Sequence, residues 1–290
     1  MTRSLEERMK DARNILDSIE KALARHPGKL PADVETLVAA TVRSRDDIGH
    51  WLRLCEARRE ARNALDGLET QVDSDDCVPV PFGSSRIKFQ LARFLGVQSY
   101  VATTWALADS ITPMAGPIVC TSPANPKRAQ PVQLVQHFIN NDRAKEKTAE
   151  LMFRSVRDSF GWPIGISYAI RNHFVHDGAQ KFGADFFEGP SAMSGFRISD
   201  DGWKHIQDRV RTKYKVDSAH DRNATSWPDP PDDLRVVLDD CERVLDEALG
   251  VILGSVCGLL HAHVGLMLHE DGPRMGSGNT PALRPSSERP

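Results

Sequence analysis

An arginine, an asparagine and a histidine stand close together in the segment from Arg171 to Gly178: Asn172 follows Arg171 directly, and His176 comes five residues after Arg171. A guanidinium stays protonated and can bind a phosphate, and an imidazole with a pKa near about 6.5 can serve as general acid or base. These residue types fit cleavage of RNA through its 2′-hydroxyl. Arg171 would hold the scissile phosphate, Asn172 would orient the phosphate or the imidazole, and His176 would carry the proton transfers without a metal.

The helix that carries these residues determines how they can meet. At about 100° per residue, Asn172 and His176 share one face of an α-helix, whereas Arg171 and His176 are about 140° apart around the axis. One helix therefore spreads the groups rather than focusing them. Pairing of this helix with its twin in a second chain would bring both copies around one groove, which gives a reason for a homodimer.

The run Arg171-Asn172-His173-Phe174-Val175-His176 resembles the RxxxxH signature of the HEPN superfamily, including the polar residue directly after the arginine. The resemblance implies an all-α helical bundle, often dimeric, and a metal-independent ribonuclease of an antiviral or toxin-like system. In the HEPN toxins that are controlled by AMPylation, a tyrosine stands two residues after the motif histidine. Here that residue is Gly178, so this form of control is not expected.

Two neighbours complete the candidate site. His173 lies inside the motif, Asp177 directly follows it, and both are assigned to substrate binding. His173 and His176 also form an HxxH pair, but a metal site needs three or four converging ligands, and no second cluster is visible in the sequence. No metal and no cofactor are therefore expected.

Alternative interpretations stay open. Arg45 and His50 repeat the same spacing within a highly charged helix, where such pairs arise from composition. His176 could also be a purely structural residue, favoured by the helix dipole in a last turn. Gly165-Ile166-Ser167-Tyr168-Ala169 approaches a nucleophile elbow, but it lacks the final glycine and the preceding strand.

Most of the chain has helical periodicity. Ser4 and Glu7 form a capping-box pattern before an amphipathic helix over 4–26. Further helices are predicted over 32–70, from Arg86 to about Ser110, over 131–157, from Trp162-Pro163 to Gly178, and over 200–214. A small hairpin is predicted between 183 and 199.

A long helix is predicted to begin after Pro231-Asp232-Asp233. Its second half repeats small residues every four positions, at Gly250, Gly254, Gly258 and Ala262, and such a face lets two helices approach closely. Residues 248–268 are apolar enough to raise the alternative of a membrane span. We expect a buried helix in a bundle or dimer, and no membrane, because two histidines interrupt the stretch.

Composition sets wider limits. The chain has 290 residues, with 40% hydrophobic and 27% charged side chains, which is typical of a soluble globular protein. Its formal net charge of −3 excludes a bulk polycation, but 86–215 carries 18 basic and 11 acidic residues, so an anionic ligand would be drawn there. Five dispersed cysteines and a charged N-terminus indicate a cytoplasmic protein with reduced thiols.

The sequence therefore predicts an all-α helical bundle with a small β-hairpin insertion after the motif helix. An N-terminal helical segment over 1–72 would precede a HEPN-like domain over 86–270 and a disordered tail over 271–290. The expected activity is that of an RNA-cleaving homodimer, checked by an inhibitor or activating partner. The alternative is a non-catalytic dimerisation module or sensor in the same kind of system.

Overall fold

The computed structural model describes residues 3–25, 32–68, 79–82, 85–115, 134–135, 147–177, 196–216 and 227–270. Its elements follow in this order: α1 (Leu5–Ala24), α2 (Ala32–Gly67), β1 (Pro79–Phe82), β2 (Ser85–Lys88), α3 (Phe89–Ile111) with a 3₁₀ turn (Thr112–Ala115), α4 (Lys147–Asn172), α5 (Asp200–Arg209) and α6 (Leu234–Glu270). Two π turns extend helices, the first over His173–Asp177 after α4 and the second over Val210–Tyr214 after α5. The predicted all-α bundle is confirmed.

Helix α1 begins as its sequence predicts. The Ser4 hydroxyl accepts a hydrogen bond from the backbone N–H of Glu7 at 3.2 Å, and the Glu7 carboxylate accepts one from the backbone N–H of Ser4 at 2.8 Å. The apolar stripe of α1 is buried against α6 and α2. Capping fixes the start of the helix, and burial of the stripe holds it on the bundle.

Helix α6 lies at the centre of the bundle, where it packs against α1, α3 and α4. Thirteen of its side chains belong to the buried apolar core, from Leu234 to Leu260. The segment Leu234–Ala262 is long and apolar enough to cross a membrane by length and composition, with a mean hydropathy of 1.6. Within this segment, 56% of the most apolar stretch of 18 residues is buried inside the fold, so the segment is a core helix here.

The structure corrects two predicted boundaries. Helix α3 begins at Phe89 rather than Arg86, because Ser85–Lys88 pairs with Pro79–Phe82 as an antiparallel hairpin. Helix α4 runs through Pro163 instead of beginning there. A proline lacks the N–H that the helix would use and disfavours a helix interior, yet Pro163 lies in a buried stretch in which Trp162 and Ile164 are both fully inside the core.

Most of the predictions that concern the chain after residue 177 fall on residues that the structure does not describe. The hairpin predicted over 183–199 lies mostly outside the described residues, and the described residues 196–199 form no strand. The predicted stop at Gly178 and the tail over 271–290 lie outside them as well. The helix predicted over 200–214 is present as α5 and the second π turn.

Gly165 sets how closely α4 approaches the second π turn. A Cβ atom at this position would lie 2.7 Å from Cγ1 of Val210, which is fully buried. Such a separation is far inside van der Waals contact, so only a hydrogen at residue 165 allows the two backbones to pack this way.

We expect Gly165→Ala to lower the free energy of unfolding by about 1–2 kcal/mol, because overpacking a closed contact outweighs the better helix propensity of alanine. Urea denaturation measures this loss. Gly49→Ala is the matched control: its Cβ would meet only Arg53, at 3.9 Å, and it should be neutral or slightly stabilising. Equal stability of the two variants would show that the close approach does not exist.

Candidate functional site

The first π turn changes the geometry of the Arg171–His176 spacing. Helix α4 ends at Asn172, and His173–Asp177 continues it with N–H groups bonded to carbonyls five residues earlier. In so wide a turn, residues five apart lie closer to one face than in an α-helix. The separation of about 140° expected for a regular α-helix therefore does not apply to this segment. Turns of this kind are rare in proteins, and many of those that occur lie at functional sites.

A chain of hydrogen bonds begins at Arg171. Its Nη1 donates to Oδ1 of Asn172 at 2.8 Å, and Nδ2 of Asn172 donates to the hydroxyl of Tyr214 at 2.8 Å. Asn172 is 5% exposed, so its amide forms a buried bridge between the end of α4 and the second π turn. In the described chain, Asn172 positions Arg171.

Arg209, the last residue of α5, also acts on the hydroxyl of Tyr214. Burial raises the pKa of Tyr214, while the bond from Asn172 and the charge of Arg209 act to lower it. Tyr214 and Asn172 thus link the guanidinium of Arg171 to that of Arg209.

Aromatic rings support the same arrangement. The guanidinium carbon of Arg171 lies 5.7 Å from the ring centre of Tyr168, one turn earlier in α4. The ring of Tyr168 lies 5.2 Å from that of Tyr214 and 4.7 Å from that of Trp105. Stacking against Tyr168 restricts Arg171 while keeping its charge.

His173 faces the interior. It is 1% exposed, and its ring lies 5.3 Å from that of Phe174 and 6.3 Å from that of His205. Its assignment to substrate binding stays a prediction. His176 and Asp177 have their backbone within the first π turn, and their side chains lie outside the described part of the chain.

The carboxyl group of Asp109 interacts electrostatically with Arg171. Asp109 in α3 has its pKa raised by burial, and the charge of Arg171 opposes that rise. Asn172, by contrast, is neutral, so its bond to Arg171 leaves the positive charge of the guanidinium in place.

The second Arg-x4-His copy has a different environment. Arg45 in α2 is ion-paired with Glu20, with Asp46 at 3.1 Å and with Asp17 at 3.6 Å. Three carboxylates around one guanidinium leave little attraction for a phosphate. The guanidinium of Arg45 is therefore engaged by acidic side chains.

Other chemistries find less support in the described residues. Ser167 lies inside α4 and accepts a hydrogen bond from Nε1 of Trp105 at 3.1 Å, so it is a buried structural residue. Burial raises the pKa of Cys55 and Cys257 to about 11, which keeps both thiols protonated near neutral pH. Among the described side chains, no group of three or more His, Cys, Asp or Glu is placed to hold a metal.

Comparisons with known proteins give no relative for this chain: no protein-family model, no curated protein and no solved structure matches it.

Three residues of this corner escape sequence reasoning: Tyr168, Arg209 and Tyr214. Tyr168 is one turn from Arg171 and could have been placed by helical spacing. Arg209 and Tyr214 are about forty residues further on, and only the fold brings them to Asn172. A weak signal was present in the excess of basic residues over 86–215.

Proposed function

We propose that the protein is a metal-independent endoribonuclease of the HEPN type, acting as a homodimer in the cytoplasm. The single observation that supports this best is the bridge from Arg171 through Asn172 to Tyr214, next to the π turn that contains His176. This bridge holds a permanent cation two residues before the first residue of the π turn whose backbone includes His176, and an imidazole can transfer protons near neutral pH.

In the proposed reaction, the 2′-oxygen of RNA attacks the adjacent phosphorus and gives up its proton to a general base. The bond from phosphorus to the 5′-oxygen breaks, and a general acid protonates the leaving oxygen. The products are a 2′,3′-cyclic phosphate and a 5′-hydroxyl. His176 takes the proton roles, Arg171 stabilises the charge on the phosphorane, and Asn172 holds Arg171 in place.

The biological setting of the proposal is antiviral defence or a toxin-like system. Uncontrolled RNA cleavage would harm the host cell, so the proposal includes an inhibitor or an activating partner protein.

The direct test incubates the purified chain with labelled single-stranded RNA and total tRNA in excess EDTA. We expect fragments that end in 2′,3′-cyclic phosphate and no cleavage at a position where the 2′-hydroxyl is replaced by hydrogen. Cleavage that appears only when Mg²⁺ is restored, or products ending in 3′-hydroxyl, would contradict the proposed chemistry.

One observation favours the second candidate, a non-catalytic dimerisation module. Gly254, Gly258 and Ala262 are exposed on α6, and in the described part of the chain nothing lies within 4 Å of a Cβ placed at either glycine. Gly250, the first member of the repeat, instead packs against Arg8 of α1. Three of the four small residues therefore remain on a surface that a second copy could use.

Under this second candidate, Gly254→Leu should convert a dimer to a monomer without loss of stability, because leucine favours a helix and a Cβ atom at residue 254 has no described atom within 4 Å. Sedimentation velocity with thermal unfolding measures both. Gly250→Leu is the contrasting variant: a side chain there would displace the flexible end of Arg8, so it would alter the packing of α1 on α6 and leave the exposed surface at Gly254 in place. An unchanged sedimentation coefficient in Gly254→Leu would exclude this surface as the dimer contact.

A further inference from the structure

Tyr214 reaches the candidate site from a distant part of the chain. It is the last residue of the second π turn, it is 3% exposed, and its hydroxyl accepts the hydrogen bond of Asn172, which lies 42 residues earlier. Its ring lies 5.2 Å from that of Tyr168, and Tyr168 is the ring against which the guanidinium of Arg171 stacks. One side chain therefore supports Arg171 by two routes, through its hydroxyl and through its ring.

The position of the Tyr214 hydroxyl is set by packing around Val210. The backbone N–H of Lys215 bonds to the carbonyl of Val210, and the left-handed φ of 55° at Lys215 turns the chain directly after Tyr214. Val210 is fully buried, and its side chain packs directly on the backbone of Gly165 in α4. Tyr214 is thus held against α4 by contacts that do not involve Asn172.

The amide of Asn172 has two chemically different ends, and each end has a different partner. Nδ2 donates to the Tyr214 hydroxyl, and Oδ1 accepts from Nη1 of Arg171, both at 2.8 Å. A guanidinium can only donate, so Arg171 needs the oxygen end of the amide. Because the amide is planar and buried, a fixed acceptor for its nitrogen determines where its oxygen points, and an unpaired Nδ2 is unfavourable there.

We propose that Tyr214 is a positioning residue of the ribonuclease site: its hydroxyl sets the orientation of the Asn172 amide, and the amide holds Arg171 toward the scissile phosphate. This inference rests on the proposed function for its reaction, and it adds a residue outside the motif on which the rate depends. Since Tyr214 is almost fully buried, it acts through Asn172 and not by touching RNA.

The variant Tyr214→Phe removes the hydroxyl and keeps the ring. We expect single-turnover cleavage of labelled RNA in EDTA to slow by about tenfold at saturating protein, while the protein concentration that gives half the maximal rate changes by less than about threefold. The reason is that Arg171 stabilises charge that develops in the transition state. Tyr100→Phe is the matched control: it removes another buried hydroxyl, which donates to Glu242 of α6, and it should cleave within about twofold of the wild-type rate.

A double-mutant cycle separates positioning from a general structural effect. If the hydroxyl acts through Asn172, then Asn172→Ala and Asn172→Ala/Tyr214→Phe should cleave RNA at the same rate, within about twofold. An independent effect of Tyr214 would slow the double variant by a further factor of about ten. That result, or an undiminished rate of Tyr214→Phe alone, would overturn the proposal.

The mobility of Arg171 is measured without any cleavage. In protein labelled with ¹⁵N in its arginines, the heteronuclear NOE of the Arg171 Nε–H group reports how rigid the side chain is, and the variant Arg171→Lys identifies its signal. We expect a rigid group in the wild type and in Tyr100→Phe, and a mobile one in Tyr214→Phe. Equal mobility of Arg171 in all three proteins would overturn the proposal, even for a protein that cleaves RNA.

The same measurement separates this inference from the proposed function. An Arg171 that becomes mobile in Tyr214→Phe, in a protein whose wild type does not cleave RNA, would refute the ribonuclease and leave Tyr214 as the residue that positions Arg171.

Discussion

Replacement of Arg171 by alanine is expected to slow RNA cleavage by about 10²–10³-fold or more, because it removes the cation that stabilises charge on the phosphorane. The cleavage rate of Arg171→Lys should lie between those of the wild type and Arg171→Ala, since lysine keeps the charge but loses the planar, bidentate guanidinium. Single-turnover cleavage of labelled RNA in EDTA measures both. Arg171 is half-buried, so thermal unfolding of each variant is measured in parallel.

The chain supplies its own control for this experiment. Arg45 has the same spacing to a histidine, but it is surrounded by Asp17, Glu20 and Asp46. Arg45→Ala should therefore leave cleavage unchanged. If Arg45→Ala and Arg171→Ala slowed cleavage equally, loss of fold rather than loss of a phosphate contact would explain both.

Replacement of Arg58 by methionine is expected to cost about 3–5 kcal/mol of stability. Arg58 in α2 is 7% exposed and makes a bidentate pair with Asp246 of α6, at 2.7 and 2.9 Å, and a further ion pair with Glu242 at 3.2 Å. Burial lowers the pKa of this arginine and the two carboxylates raise it, with a net rise. Methionine would leave the carboxylate of Asp246, whose side chain is only 23% exposed, without its partner, and an unpaired charge at such a site is destabilising.

Chemical denaturation measures the cost, and two variants define its origin. Arg58→Met/Asp246→Leu removes both charges and should recover most of the lost stability. Arg59→Met changes the next residue, whose side chain is 58% exposed and pairs with Glu6, and it should change stability by less than about 0.5 kcal/mol. If the double variant were no more stable than Arg58→Met, packing rather than charge would explain the loss.

Local sequence patterns predicted the helices, whereas some helix boundaries and the strand pairing depend on packing between elements that are distant in sequence. The capping box of Ser4 and Glu7 specifies the start of α1 because all its partners lie within four residues. The helix was predicted to begin at Pro163 because the unfavourable effect of proline on a helix interior can be read from the local sequence. The burial of Trp162 and Ile164, which accompanies the continuous helix, depends on packing against other helices and cannot be read from it. The same holds for Ser85–Lys88, because its own composition does not reveal that it pairs with Pro79–Phe82.

Charge counting along the chain was informative only in part. Residues 216–290 carry 6 basic and 13 acidic side chains, a count that by itself would indicate a surface that repels anions, yet Asp239, Glu242 and Asp246 are paired with arginines of α2. The basic excess over 86–215 does include Arg171 and Arg209 of the candidate site. Linear spacing found Arg171, Asn172 and His176, but Tyr214 and Arg209 could not be joined to them without the fold.

The most direct measurement of the central claim compares three proteins on one labelled RNA in excess EDTA: the wild type, His176→Ala and His50→Ala. We predict cleavage by the wild type and by His50→Ala, products ending in 2′,3′-cyclic phosphate, and loss of about 10²–10⁴-fold in rate for His176→Ala. Undiminished cleavage by His176→Ala would contradict the account.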